Sequence, residues 1–304
     1  MIVASIDIGT NTVLLLIAKI DIKSGVITTI RNEYKMPRIG QGVKASGIIK
    51  DDRIKLLFGV LSEYNKIIKQ YDCKKVILTG TNAFRIASNS DLIINQIKKN
   101  FGYRLKIISG EEEAEYAYLG AISGMECTRT TMVIDIGGSS TELILGMGKK
   151  ITSKKSLQLG SVSLTEQFLH NSPPIQSELE NLKYEIKKLV STVTTKQKPE
   201  TVIAIAGTAT TLACMLRKYK EFNQEIVENS NIEYQELKNL TIVIEKLKSN
   251  KMLEIYGPIL NGREDIILAG SYVLLTVMEI FQIERLKVSS RGIRYGAIIK
   301  YLNI

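Results

Sequence analysis

The sequence holds one histidine, no tryptophan, three cysteines and five prolines among its 304 residues, and most of these shortages remove a class of chemistry. The lone His170 lies in the polar stretch Leu169-His170-Asn171-Ser172-Pro173-Pro174. It leaves no material for a multi-histidine metal site and reads as a surface side chain. Cys73, Cys127 and Cys214 are odd in number, far apart and without CxxC spacing, which suits buried thiols in a reducing, cytoplasmic compartment. With no tryptophan, 6% aromatic residues and no RNP, zinc-finger or helix-turn-helix signature, nucleic acid is not an expected partner. The longest uncharged run, residues 201–216, is rich in threonine and glycine and falls short of the roughly 20 apolar residues that cross a bilayer. No basic region precedes the apolar residues at the start of the chain, so neither a membrane partner nor a signal peptide is expected.

What remains is globular composition, 44% hydrophobic and 24% charged, at a length that favours two domains. Lysine and arginine outnumber aspartate and glutamate 41 to 31, a formal charge of +10 that attracts polyanions. The lysine-bearing stretches 153–155, 196–198 and 246–251 read as solvated loops and helix ends.

The chain repeats its own design. Ile6-Asp7-Ile8-Gly9-Thr10-Asn11-Thr12 lines up with Ile134-Asp135-Ile136-Gly137-Gly138-Ser139-Ser140, 128 positions later, and Val76-Ile77-Leu78-Thr79-Gly80-Thr81 with Ile203-Ala204-Ile205-Ala206-Gly207-Thr208, 127 positions later. The first pair reads as strand, tight glycine turn, strand. The second reads as a strand running through Gly-Thr into a helix. Such turns present backbone N–H groups and hydroxyls to an anion. Residues 51–71 and 177–189 carry the apolar spacing of amphipathic helices, and the apolar run 131–136 suits a strand covered on both faces. The pattern predicts two related α/β halves facing a cleft.

Acidic residues stand out at three places. Ser109-Gly110-Glu111-Glu112-Glu113-Ala114 opens a helix, and Ser109 with Glu112 has the spacing of a capping box. Glu113 shares its face with Ala117, Gly120, Ala121 and Gly124, small residues that admit another element or a ligand. Glu142 aligns with Leu14, so only the second half gains that carboxylate. Asp135 and Glu142, on successive strands of one hairpin, are hard oxygen donors suited to Mg²⁺, while the turn between them wraps a phosphate.

With these landmarks the whole chain resembles the exopolyphosphatase and guanosine pentaphosphate phosphohydrolase family, of the actin-like ATPase superfamily. Further matching motifs are Gly80-Thr81-Asn82-Ala83-Phe84-Arg85, Leu159-Gly160-Ser161-Val162, Gly207-Thr208-Ala209-Thr210-Thr211-Leu212 and Arg291-Gly292-Ile293-Arg294-Tyr295-Gly296. The resemblance implies a duplicated ribonuclease-H-like fold. Its first domain would span residues 1–122, with 291–304 packing back on it, and its second residues 123–290. It implies Mg²⁺-dependent release of terminal orthophosphate from linear polyphosphate or guanosine pentaphosphate, and leaves open a monovalent cation such as K⁺ and a homodimer. By position, Glu113 corresponds to the catalytic carboxylate and general base, Glu142 to a second acid near metal and water, Asp135 to a metal or phosphate-site acid and Arg85 to a phosphate-contacting cation. Asp7, Gly9, Thr10 and Asn11, Thr81 and Asn82, Gly137, Gly138, Ser139 and Ser140, and Gly207 with Thr208 correspond to phosphate-binding positions.

The chain departs from the family pattern in three ways. Leu14 stands where many relatives carry Arg or His. Ser139 replaces a glycine, which narrows the allowed backbone. No histidine-rich HD-type metal domain follows, so the chain resembles the short, two-domain form. The same turns also suit an actin-like kinase or ATPase, which would form ADP only with a second substrate, and a non-catalytic sensor of guanosine tetraphosphate or pentaphosphate, which would bind without turnover.

Overall fold

The structure, a computed structural model, describes the chain apart from residues 126, 127, 196, 197 and 229. Cys127 and the start of the 196–198 lysine stretch therefore lie outside the described residues. The chain divides into two compact units, Met1–Glu126 with Arg291–Ile304, and Cys127–Ser290.

In the first unit the strands β1 (Ile2–Ile8), β2 (Val13–Ile20), β3 (Ile27–Lys35), β4 (Lys75–Gly80) and β5 (Leu105–Ile107) form one sheet in the order β3-β2-β1-β4-β5. The hairpin strands β1, β2 and β3 pair antiparallel, and β1, β4 and β5 run parallel. Both faces of β1 and β2 are covered, which accounts for their continuous apolar sequences. One face carries Ile6, Ile8, Val13 and Leu15 against Leu57, Leu61, Tyr64 and Ile68 of the Asp51–Gln70 helix. The other carries Val3, Leu16 and Ala18 against Tyr295 and Ile298 of the Ile293–Leu302 helix. Asp7 belongs to this second face by alternation.

In the second unit β6 (Thr131–Ile136), β7 (Thr141–Met147), β8 (Lys150–Leu157), β9 (Thr201–Ile205), β10 (Asn231–Glu233) and β11 (Arg285–Val288) form a sheet ordered β10-β11-β9-β6-β7-β8. Apart from the added edge strand β10, this order repeats that of the first unit. The register repeats too: Asp7 lies opposite Leu14, and Asp135 opposite Glu142. The β1–β2 turn closes with Gly9 N–H donating to Thr12 O at 2.9 Å, and the β6–β7 turn with Gly137 N–H donating to Ser140 O at 2.9 Å.

The amphipathic segments form helices Asp51–Gln70 and Gln176–Val190. His170 is exposed and Cys214 buried, whereas Cys73 is only half-buried. Residues 153–155 are neither loop nor helix end but belong to β8, an edge strand whose exposed lysines blunt the open sheet edge. No described helix is long and apolar enough to cross a membrane.

The small residues following Glu113 on the Gly110–Ile122 helix admit another element. Gly120 and Gly296 let this helix and the Ile293–Leu302 helix touch through their backbones. A Cβ added at Gly296 would lie 1.9 Å from Tyr116 O, and one at Gly120 would lie 2.0 Å from Gly292 O. Gly296→Ala should therefore destabilise the protein by about 2–3 kcal/mol, as overpacked contacts do. Gly59→Ala, on an exposed helical position with open space around the added methyl, should instead stabilise it by about 0.5–1 kcal/mol through helix propensity. Urea unfolding of both variants tests the opposite signs.

Candidate functional site

Each unit gathers its polar residues at the carboxyl ends of its parallel strands, where ligands of open α/β sheets bind. In the first unit, Asp7 lies at the end of β1, the Asn82–Ile86 helix brings Arg85, and the start of the Gly110–Ile122 helix brings Glu113. Ser109 and Glu112 form the capping box, with Glu112 N–H donating to Ser109 Oγ at 3.1 Å and Ser109 N–H to Glu112 Oε2 at 3.0 Å. Lys106 holds Glu112 at 2.6 Å. Glu112 is thereby accounted for, and Glu113 is left for another task.

Glu113 is buried and pairs with Arg85, whose Nη1 donates to Glu113 Oε2 at 2.6 Å and to Ile108 O at 2.9 Å. Burial raises the proton affinity of Glu113, and the Arg85 charge and hydrogen bond partly oppose that rise. The Asp7 carboxyl is pushed up to about 7, first by burial and then by the charge of Glu113, against the opposing pull of Arg294 and a hydrogen bond from Thr79. Arg294 stands in the matching motif at residues 291–296, which gave it no role of its own. It is half-buried near Asp7 and donates to Leu15 O at 3.0 Å and Asn32 Oδ1 at 2.7 Å.

The β1–β2 turn holds buried polar atoms with no protein partner: Oδ1 of Asp7 and both amide atoms of Asn11. Leaving such groups unsatisfied costs roughly 1–3 kcal/mol each, so the turn is made to meet a ligand or water that both accepts and donates. Thr10 and Thr81 are buried and Asn82 is half-buried at the head of the helix that carries Arg85.

In the second unit, Asp135 and Glu142 face each other across β6 and β7, both buried. Ser156 on β8 lies opposite Glu142 and donates to its Oε1 at 2.7 Å. The 137–140 turn rests on the amino end of the Ser161–Phe168 helix: Ser161 N–H donates to Gly137 O, and Val162 and Ser163 N–H to Gly138 O, at 2.8–3.0 Å. Gly160 permits this contact, because a Cβ there would lie 2.2 Å from the Gly138 carbonyl. Ser139 does not take a positive φ, so the glycine-to-serine departure carries no strain. Across the sheet, Thr208 Oγ1 donates to Ile136 O at 3.3 Å. Gly207 follows Ala206, which holds a φ of +66°. A Cβ at Gly207 would lie 2.1 Å from Arg263 Nη1, so the Arg263 guanidinium lies against this turn. Arg263 is a residue absent from the sequence reading.

Among the described residues no three of His, Cys, Asp or Glu converge as a metal cage. Two buried carboxylates are nevertheless a donor set that fits Mg²⁺, which takes one or two carboxylates and completes its shell with water and substrate oxygens.

The model of the Ppx/GppA phosphatase family matches residues 16–303. The bifunctional 3-dehydroquinate synthase/phosphatase of Fusobacterium nucleatum is 32% identical over 98% of this chain, and the chain spans 46% of that protein's length. Exopolyphosphatase 2 of Mycobacterium tuberculosis is 28% identical over 90% of the chain and 88% of its own length. The crystal structure of the Aquifex aeolicus Ppx/GppA family member shares 31% identity and a TM-score of 0.85, covering 100% of this chain and 98% of that one.

The shifted Asp7 carboxyl gives a pH signature. The folded state keeps the proton up to about pH 7, whereas the unfolded chain releases it near the ordinary aspartate value. Ionisation of Asp7 therefore costs stability as pH rises between those limits, on the order of 4 kcal/mol in all. Asp7→Asn lacks this loss, so its stability relative to the natural protein should be greater at pH 8 than at pH 5. Urea unfolding of both proteins at the two pH values measures the difference.

Proposed function

The chain belongs to the Ppx/GppA phosphatase family, and from that premise we propose that it releases terminal orthophosphate from linear polyphosphate, from guanosine pentaphosphate, or from both. The observation that supports this reading most is the buried Glu113, whose raised proton affinity suits a general base and whose partner is the cation Arg85.

In the reaction, water attacks the terminal phosphorus in line with the bridging oxygen. Glu113 takes a proton from that water as the new P–O bond forms, the bridging P–O bond breaks, and the shortened chain leaves with the electron pair. In the second unit Asp135 and Glu142 would hold Mg²⁺, which when bound would supply positive charge to phosphate oxygens. Within the first unit, Arg85 and the backbone N–H groups of Thr10 and Asn11 are the groups to stabilise charge growing on phosphate oxygens; within the second, the N–H groups of residues 138–140 are anion donors of the same kind. Arg263 lends positive charge beside the Gly207-Thr208 turn. The excess of basic residues draws the polyanion in, an attraction that weakens as salt rises.

Phosphate release from short polyphosphate, long polyphosphate, guanosine pentaphosphate and ATP, each with Mg²⁺, tests the proposal. At least one of the first three should turn over, and Glu113→Gln should lose roughly 10²–10⁴ in kcat while still binding that substrate. Tight binding of guanosine pentaphosphate without turnover would refute the hydrolase reading.

A further inference from the structure

The two hairpins differ along the row of side chains that crosses the sheet at Asp7 and Asp135. In the first unit the row reads Tyr34, Leu14, Asp7, Thr79 from β3 to β4. In the second it reads Ser156, Glu142, Asp135, Ile205 from β8 to β9. Directly opposed residues of paired strands project to the same side of the sheet, so Ser156, Glu142 and Asp135 share one face. Glu142 is 1% exposed, and the Ser156 hydroxyl donates to its carboxylate from the sheet edge at 2.7 Å. Where the row has Leu14, the edge residue is the exposed Tyr34, whose side chain contributes no such bond to an apolar neighbour. A short hydroxyl side chain beside a carboxylate therefore occurs in one half, where the other has Tyr34 beside Leu14.

We infer that Ser156 is a positioning residue for Glu142. By occupying one lone pair of Oε1 it fixes the carboxylate's rotation within the row, so that its other oxygen lone pairs keep one direction for a divalent cation. β8 is then part of the site rather than only a protective edge. This rests on the proposed role of Glu142 at the metal. Partners that orient a metal-binding carboxylate are worth about 10- to 100-fold in affinity or activity.

The test compares the natural protein with Ser156→Ala, Ser156→Thr and, as a control, Lys155→Ala, whose position opposite Leu143 puts it on the other face. Mn²⁺ binding is followed by electron paramagnetic resonance, and phosphate release by steady-state kinetics. Ser156→Ala should weaken Mn²⁺ binding about 10-fold and lower kcat by a similar factor, with KM changed less than about twofold and thermal midpoint almost unchanged. Ser156→Thr, which keeps the hydroxyl, should recover most of both losses, and Lys155→Ala should match the natural protein. Mn²⁺ affinity of Ser156→Ala equal to that of the natural protein would overturn the inference, as would a Ser156→Thr variant as defective as Ser156→Ala. The Mn²⁺ measurement does not depend on turnover, so a natural protein that hydrolyses nothing would sink the functional proposal while this one was still decided by the metal titration.

Discussion

The cost of taking carboxylates out of water shapes both units. Asp7, Glu113, Asp135 and Glu142 are all buried, and an ionised carboxylate moved into the interior loses several kcal/mol of hydration unless something replaces it. Around three of them the replacement differs. Glu113 has a guanidinium at 2.6 Å. Asp7 keeps its proton to about pH 7. Glu142 accepts a hydroxyl. Much of the remaining arrangement serves these needs, from the helix that carries Arg85 to the distant segment that brings Arg294 beneath β1. A fold optimised for stability alone would put apolar side chains at these positions. Keeping acids there holds groups whose proton affinity a ligand's charge can shift.

Much of this was legible in the sequence. The duplication could be read because a glycine turn between apolar strands fixes hairpin length, and equal hairpin lengths fix equal register. Asp135 therefore meets Glu142 where Asp7 meets Leu14. The capping box explained Glu112 and isolated Glu113, since its hydrogen bonds are local. The acid's companions were harder to see. Arg294 and Arg263 arrive from segments remote in sequence from the groups they adjoin; Arg294 stood in a matching motif and Arg263 in none, but in neither case does the local sequence give the side chain's destination. β8 was hidden for a different reason. An edge strand exposed on nearly every residue, with lysines at 150, 154 and 155, lacks the apolar alternation that identifies a strand. The small-residue stripe after Glu113 announced a close approach, but spacing alone did not say to what, and it serves the packing of a helix.

The two halves also show how one scaffold diverges. Their central strands, turns and strand order agree, while the side chains around the shared frame do not. Gly80 sits against Leu105 and Phe84, whereas Gly207 sits against the Arg263 guanidinium. The aligned glycine is thus set in an apolar environment in one unit and a cationic one in the other. Chemical specialisation here needed only a few side chains on strands that kept their pairing.

The segment that closes the first unit is separated from the rest of it by the whole of the second. Arg294 reaches Leu15 and Asn32 across more than 260 positions of sequence, and Gly296 fits against a helix completed at Ile122. During synthesis, which runs from the amino end at a few residues per second or faster, the first sheet emerges early but cannot bury its second face until the second unit has been made. Until then that face, with Val3, Leu16 and Ala18, stays open to solvent or to a chaperone. The unit whose residues come first in this sequence is therefore completed only by residues made after the second unit.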